Sequence, residues 1–149
     1  MLRYTLQIVL LILVTAYAVR RGGKPERNAA FILVGLPLAD LLYHTLSGDQ
    51  GSYHAVDLVH AAIDLAALAA IVWLALRADR FWTLWLGALQ LIAVLAHLIR
   101  LLEVGMHPVA YAIFIRGPFW GQMILVALGT WLHARRKRQA AERNILPGS

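Results

Sequence analysis

The sequence predicts an all-α fold: a polytopic transmembrane helix bundle of about five spans, amino terminus outside and carboxyl terminus cytoplasmic. Three observations predict it. Of 149 residues, 60% are hydrophobic and 15% charged, whereas a soluble domain has about 45–50% apolar and about 25% charged residues. The apolar residues fall in runs near the length of about 20 that a helix needs to cross a bilayer. The basic residues collect between alternate runs. Segments 20–28 and 77–80 and the tail from 135 hold eleven of the fourteen Lys and Arg. Five spans put these three segments on one side, and the positive-inside rule makes that side the cytoplasm.

This pattern gives one transmembrane helical domain over 1–134 and a basic cytoplasmic tail over 135–149. The expected location is the cell inner (plasma) membrane, as a multi-pass protein surrounded by lipid. The net charge of +6 is explained by topology, so no nucleic-acid partner is expected. The chain has no cysteine, which excludes disulfides, thiolate metal sites and a Cys nucleophile.

The first apolar run is Tyr4–Val19. Its Ala16-Tyr17-Ala18 has the form of a signal-peptide cleavage site. However, Arg20, Arg21, Lys24 and Arg27 follow at once and resist translocation, so the run is read as a span. Gly22, Gly23 and Pro25 break the helix. Helix 2 is expected over about Ala29–Thr45, kinked near Gly35 and Pro37, with Asp40 and His44 on one face because they are four apart. Ser47–Ser52 is a polar turn.

Helix 3 is expected over about Tyr53–Leu76. His54, Asp57, His60 and Asp64 fall within an arc of about 120°. Ala62, Ala66 and Ala70 have the small-xxx-small spacing that favours close contact with another helix. After the link Leu76–Arg80, helix 4 runs to about Gly105 with His97, Arg100, Glu103 and Gln90 on one side. Helix 5 admits two readings. One is a single kinked helix; the other is an interfacial piece over Val109–Ile115 and a span starting near Pro118, since proline suits a first helical turn. The five tryptophans lie mostly near helix ends, as interfacial anchors do. Arg135, Arg136, Lys137 and Arg138 are expected to touch the lipid surface.

Helices 3 and 4 form a hairpin, and its midpoint lies between residues 78 and 79. Counting outward puts His54 level with Glu103, Asp57 with Arg100, and His60 with His97. The same count about the turn near 49–50 puts Asp40 level with His60. Nine ionisable groups thus share one layer, with His60 about 9 Å inside the start of its helix. A charge at a helix centre costs roughly 2.5–3.5 kcal/mol to insert. Such groups must face each other, water or a ligand.

Imidazole and carboxylate from three helices suit Zn²⁺ or another first-row divalent metal. The expected ligands are His60, His97, Asp40 and Asp64. His44, His54, Asp57, Arg100 and Glu103 are expected as further ligands or as groups that orient them. Such a site is compatible with a membrane metalloenzyme, although no H-E-x-x-H motif is present. An alternative from another class is a non-enzymatic accessory or assembly subunit, a homo-oligomer or part of a larger membrane complex, whose polar layer fixes helix register. A b-type haem between His60 and His97 fits less well, because haem pockets are mostly apolar. A proton path lacks polar groups in the inner half, where only Gln90, Gln122 and Thr130 are available.

Overall fold

Glycine, proline and a few hydroxyl side chains divide the described residues into five helices. A computed structural model describes residues 2–47, 53–101 and 108–145. The helices are α1 (Leu2–Arg21), α2 (Lys24–Ser47), α3 (Tyr53–Arg77), α4 (Trp82–Leu101) and α5 (Pro108–Ile145). The expected loop over 20–28 shrinks to Gly22 and Gly23. Gly22 N–H donates to Ala18 O at 2.8 Å. A Cβ on Gly22 would lie 2.5 Å from that oxygen, so only glycine fits this corner. Gly23 then caps α2. Glu26 reaches back to accept from Gly23 N–H at 3.0 Å, the reciprocal half of a capping box. Glu26 is fully buried.

The α3–α4 corner is equally short. Ala78 N–H donates to Leu74 O at 2.7 Å, which carries the α3 bonding pattern one residue further. Arg80 O accepts from both Thr83 N–H at 3.1 Å and Thr83 Oγ1 at 2.6 Å, fixing the start of α4.

The fifth helix resolves the two sequence readings. Pro108 occupies its first turn, where a missing N–H costs nothing, and Pro118 lies inside it. At 38 residues it is about 57 Å long. No structural break falls at 134. The helix runs on through the basic stretch to Ile145, with Arg135–Arg143 exposed.

In sequence order the helices form a ring, α1 against α2 and α5, α3 against α2 and α4, and α4 against α5; α2 also meets α5. The apolar core lies toward the Gly22–Gly23 and 78–81 corners. It is built from Leu11 and Ala18, Ala29, Ala30 and Leu33, Ile71 and Leu74, Trp82 and Leu86, and Met123 and Val126. Outside it, large apolar side chains remain exposed on every helix, among them Leu13, Leu38, Leu65, Leu84 and Ile124. Helices α1 to α4 are each long and apolar enough to cross a membrane. An exposed apolar exterior of this extent suits lipid rather than water.

Two packing expectations are corrected. The Ala62, Ala66 and Ala70 stripe is not the main packing face, because Ala62 and Ala66 are exposed. The buried face of α3 is Ala67, Ile71 and Leu74, the continuation of Asp64 at helical spacing. Trp82 is not an interfacial anchor; it is buried. A Cβ on Gly129 would sit 2.7 Å from its ring, so α4 and α5 touch through an indole laid on a glycine.

Candidate metal centre

The polar groups gather at the opposite end of the bundle from the apolar core. Pro37 removes a donor from α2 one turn before Asp40. Asp40 and His44 then share a face, and α3 presents His60 to them. His60 Nε2 lies 2.5 Å from Asp40 Oδ1. His44 Nε2 lies 3.6 Å from the same oxygen. The two imidazole centroids are 5.6 Å apart, and the Tyr43 ring meets His60 edge-on at 6.2 Å. Among the described residues these three offer one ligand atom each, all within 4.8 Å of one another. Asp40 and His60 are partly exposed and His44 is exposed.

A tetrahedral zinc with bond lengths of about 2.0–2.1 Å sets its donors about 3.3 Å apart. That separation falls between the observed 2.5 Å and 3.6 Å. The two imidazole donors lie within 4.8 Å of each other, so His44 and His60 draw together to close the group around an ion.

The second pair is Asp64 and His97. His97 Nε2 faces Asp64 Oδ2 at 2.9 Å. Gln90 Nε2 donates to Asp64 O at 3.0 Å and to Asp64 Oδ1 at 2.9 Å. Gln90 Oε1 in turn accepts from Gln122 Nε2 at 2.7 Å. His97 and Gln90 are seven apart, two turns on one face of α4, and they hold Asp64 from above and below. The result is a hydrogen-bonded chain over α3, α4 and α5. His97 Nδ1 is buried with no partner among the described residues.

His60 and His97, expected on one ion, thus face different carboxylates. His60 and Asp64 are four residues apart, so they differ by about 40° around α3. That rotation turns His60 toward α2 and Asp64 toward α4. The same geometry bears on haem. Each Nε2 addresses a carboxylate on another helix, and Gly121 of α5 and Gly87 of α4, small residues a flat ring would need free, meet other side chains. A Cβ on Gly121 would come 2.8 Å from Leu89, and one on Gly87 would come 3.7 Å from Ile71.

The side chains of His54, Asp57 and Arg100 lie outside the described residues, as do Glu103 and His107 altogether. The expected pairs Asp57–Arg100 and His54–Glu103 therefore fall there.

Both carboxylate–imidazole pairs line one cavity of about 260 Å³. All five helices contribute to it, where the sequence pointed to three. Tyr4 and Gln7 come from α1, and Arg116, Phe119 and Gln122 from α5. The missed signals were single polar residues in apolar runs, Gln7 and Arg116, which have no periodic partner to mark them.

Gln90 allows a direct test of this network. It is fully buried and makes three bonds to two helices. Interhelical bonds in membranes average about 0.6 kcal/mol each, so Gln90→Leu is expected to destabilise by roughly 2 kcal/mol. Unfolding in mixed detergent micelles measures this. Adding Gln122→Leu should cost little more, because the Gln122 amide has already lost its partner. Additive losses would contradict the chain of bonds.

Comparison of the chain with protein-family models, with curated proteins and with solved structures finds no match in any of the three.

Proposed function

We propose that this chain is an integral membrane protein that binds a first-row divalent ion, with zinc the best fit, through Asp40, His44 and His60. The reading takes the amino terminus as outside and the carboxyl terminus as cytoplasmic in the inner membrane, which puts the ion in the outer half of the bilayer. The observation that carries it is the convergence of one carboxylate and two imidazole donors from two helices within 4.8 Å. Carboxylate–imidazole donor sets suit zinc and leave a coordination position open. In an open site the ion would lower the pKa of a bound water toward about 7. That chemistry would serve a membrane metalloenzyme. Asp64 and His97 line the same cavity as a separate pair, bonded to each other at 2.9 Å. The exposed Arg135, Arg136, Lys137 and Arg138 would lie against anionic headgroups on the cytoplasmic side.

A second reading draws support from the Gln122–Gln90–Asp64–His97 chain. Its bonds join three helices and fix their register, as an accessory or assembly subunit would require. Elemental analysis separates the two. Purified protein dialysed against trace zinc should retain about one ion per chain, released by a chelator. A stable, metal-free protein that co-purifies with a larger complex would favour the accessory role.

A further inference from the structure

The polar cavity does not stand alone. A second, apolar cavity of about 730 Å³ runs between α1 and α2, and Tyr4 and Pro37 line both. From Tyr4 the apolar groove passes Ile8, Leu11 and Ala16 to Val19, beside Arg20. Sixteen residues of helix span about 24 Å, more than the roughly 15 Å of one leaflet's hydrocarbon. An acyl chain fits along it, and its polar end then lies at the cavity of Asp40 and His60.

The charges in that cavity select the headgroup. Arg116 supplies one positive charge against the two carboxylates of Asp40 and Asp64. Counting those carboxylates against Arg116, the lining is negative by one charge. A divalent ion on Asp40, His44 and His60 reverses the sign, and Arg116 then adds a second cationic contact for an anion.

We infer that the ligand of this site is a membrane lipid with an anionic phosphate headgroup, its acyl chain in the α1–α2 groove and its phosphate between the bound ion and Arg116. This inference rests on the ion site proposed above. An arginine fork is suited to phosphate oxygens, and an open coordination position accepts one. The groove supplies the hydrophobic part of the binding, so free phosphate is a weak ligand by comparison.

The test uses full-length protein in phosphatidylcholine vesicles containing trace zinc. Either phosphatidylglycerol or phosphatidylcholine with a photoreactive acyl chain is added, and crosslinked residues are mapped by mass spectrometry. The phosphatidylglycerol probe should label the α1–α2 groove at least five-fold more than the phosphatidylcholine probe. Chelation or Arg116→Gln should abolish that preference. Ala16→Phe should reduce groove labelling by both probes while zinc stoichiometry stays unchanged. Equal labelling by the two probes in zinc-loaded protein would overturn the inference. Labelling spread evenly over the outer faces of α3 and α4, or displacement by millimolar inorganic phosphate, would do the same. Zinc is counted in the same samples. Protein that holds zinc without lipid preference overturns the lipid assignment alone. Protein that holds no zinc overturns the ion reading and the headgroup contact with it.

Discussion

Replacing His60 with alanine lowers zinc affinity by more than about 100-fold, while His97→Ala leaves it within a few-fold of the parent. Loss of a group that only supports a ligand costs about 10–100-fold, so loss of a ligand should exceed that range. Asp40→Asn should match His60→Ala, because Asp40 Oδ1 is the atom common to both imidazole contacts. His97 serves as the control, since its Nε2 is engaged by Asp64 at 2.9 Å. Competition with a chromophoric chelator in detergent measures all three. Equal losses in His60→Ala and His97→Ala would restore the shared site that the depth count first suggested.

The largest loss of stability is expected from Gly129→Leu. Its Cβ alone would come 2.7 Å from Trp82 Cε2 and 3.0 Å from Trp82 Nε1. The indole is rigid and buried, and Ala18, Leu86 and Val126 are buried in the same part of the bundle, so the ring has little room to withdraw. Overpacking costs typically about 1–3 kcal/mol, and leucine adds three further carbons. About 3 kcal/mol corresponds to a fall in Tm of roughly 6–12 °C for a chain of this size. Gly129→Ala should cost less, and Trp82→Phe should recover part of its loss in a double-mutant cycle. Because Gly129 is remote from the polar cavity, zinc stoichiometry in whatever folds should be unaltered. An unchanged Tm would mean that α4 and α5 are further apart than this packing implies.

Much of the helical plan was legible because it is written in composition and punctuation. Gly22, Gly23 and the 76–80 link mark corners, and the long apolar runs between them leave little but helix. Counting outward from the turn near 49–50 also put Asp40 level with His60, and they meet. Depth along a helix follows from residue number alone, at about 1.5 Å per residue.

Rotation about the axis was harder to read. His60 and Asp64 belong to one stripe, yet the angle between them sends them to different neighbours. Nothing in one helix's sequence says where its two neighbours stand. The Ala62, Ala66 and Ala70 stripe failed for the same reason, since small residues permit contact without specifying it. In α5, Pro118 was a candidate helix start because proline suits first turns, but Pro108 already holds that position. Arg116 and Gln7 went unassigned because neither belongs to a polar stripe at helical spacing, and only the packing of five helices brings them to the cavity.

The most direct measurement is X-ray absorption at the zinc edge on protein loaded with one equivalent. Two imidazole nitrogens and a carboxylate oxygen at about 2.0–2.2 Å, with a fourth light atom from water, is the expected shell. His44→Ala and His60→Ala should each remove one imidazole from it, and His97→Ala should remove none. A shell without histidine scattering, or one that loses an imidazole in His97→Ala, would contradict the assignment of Asp40, His44 and His60.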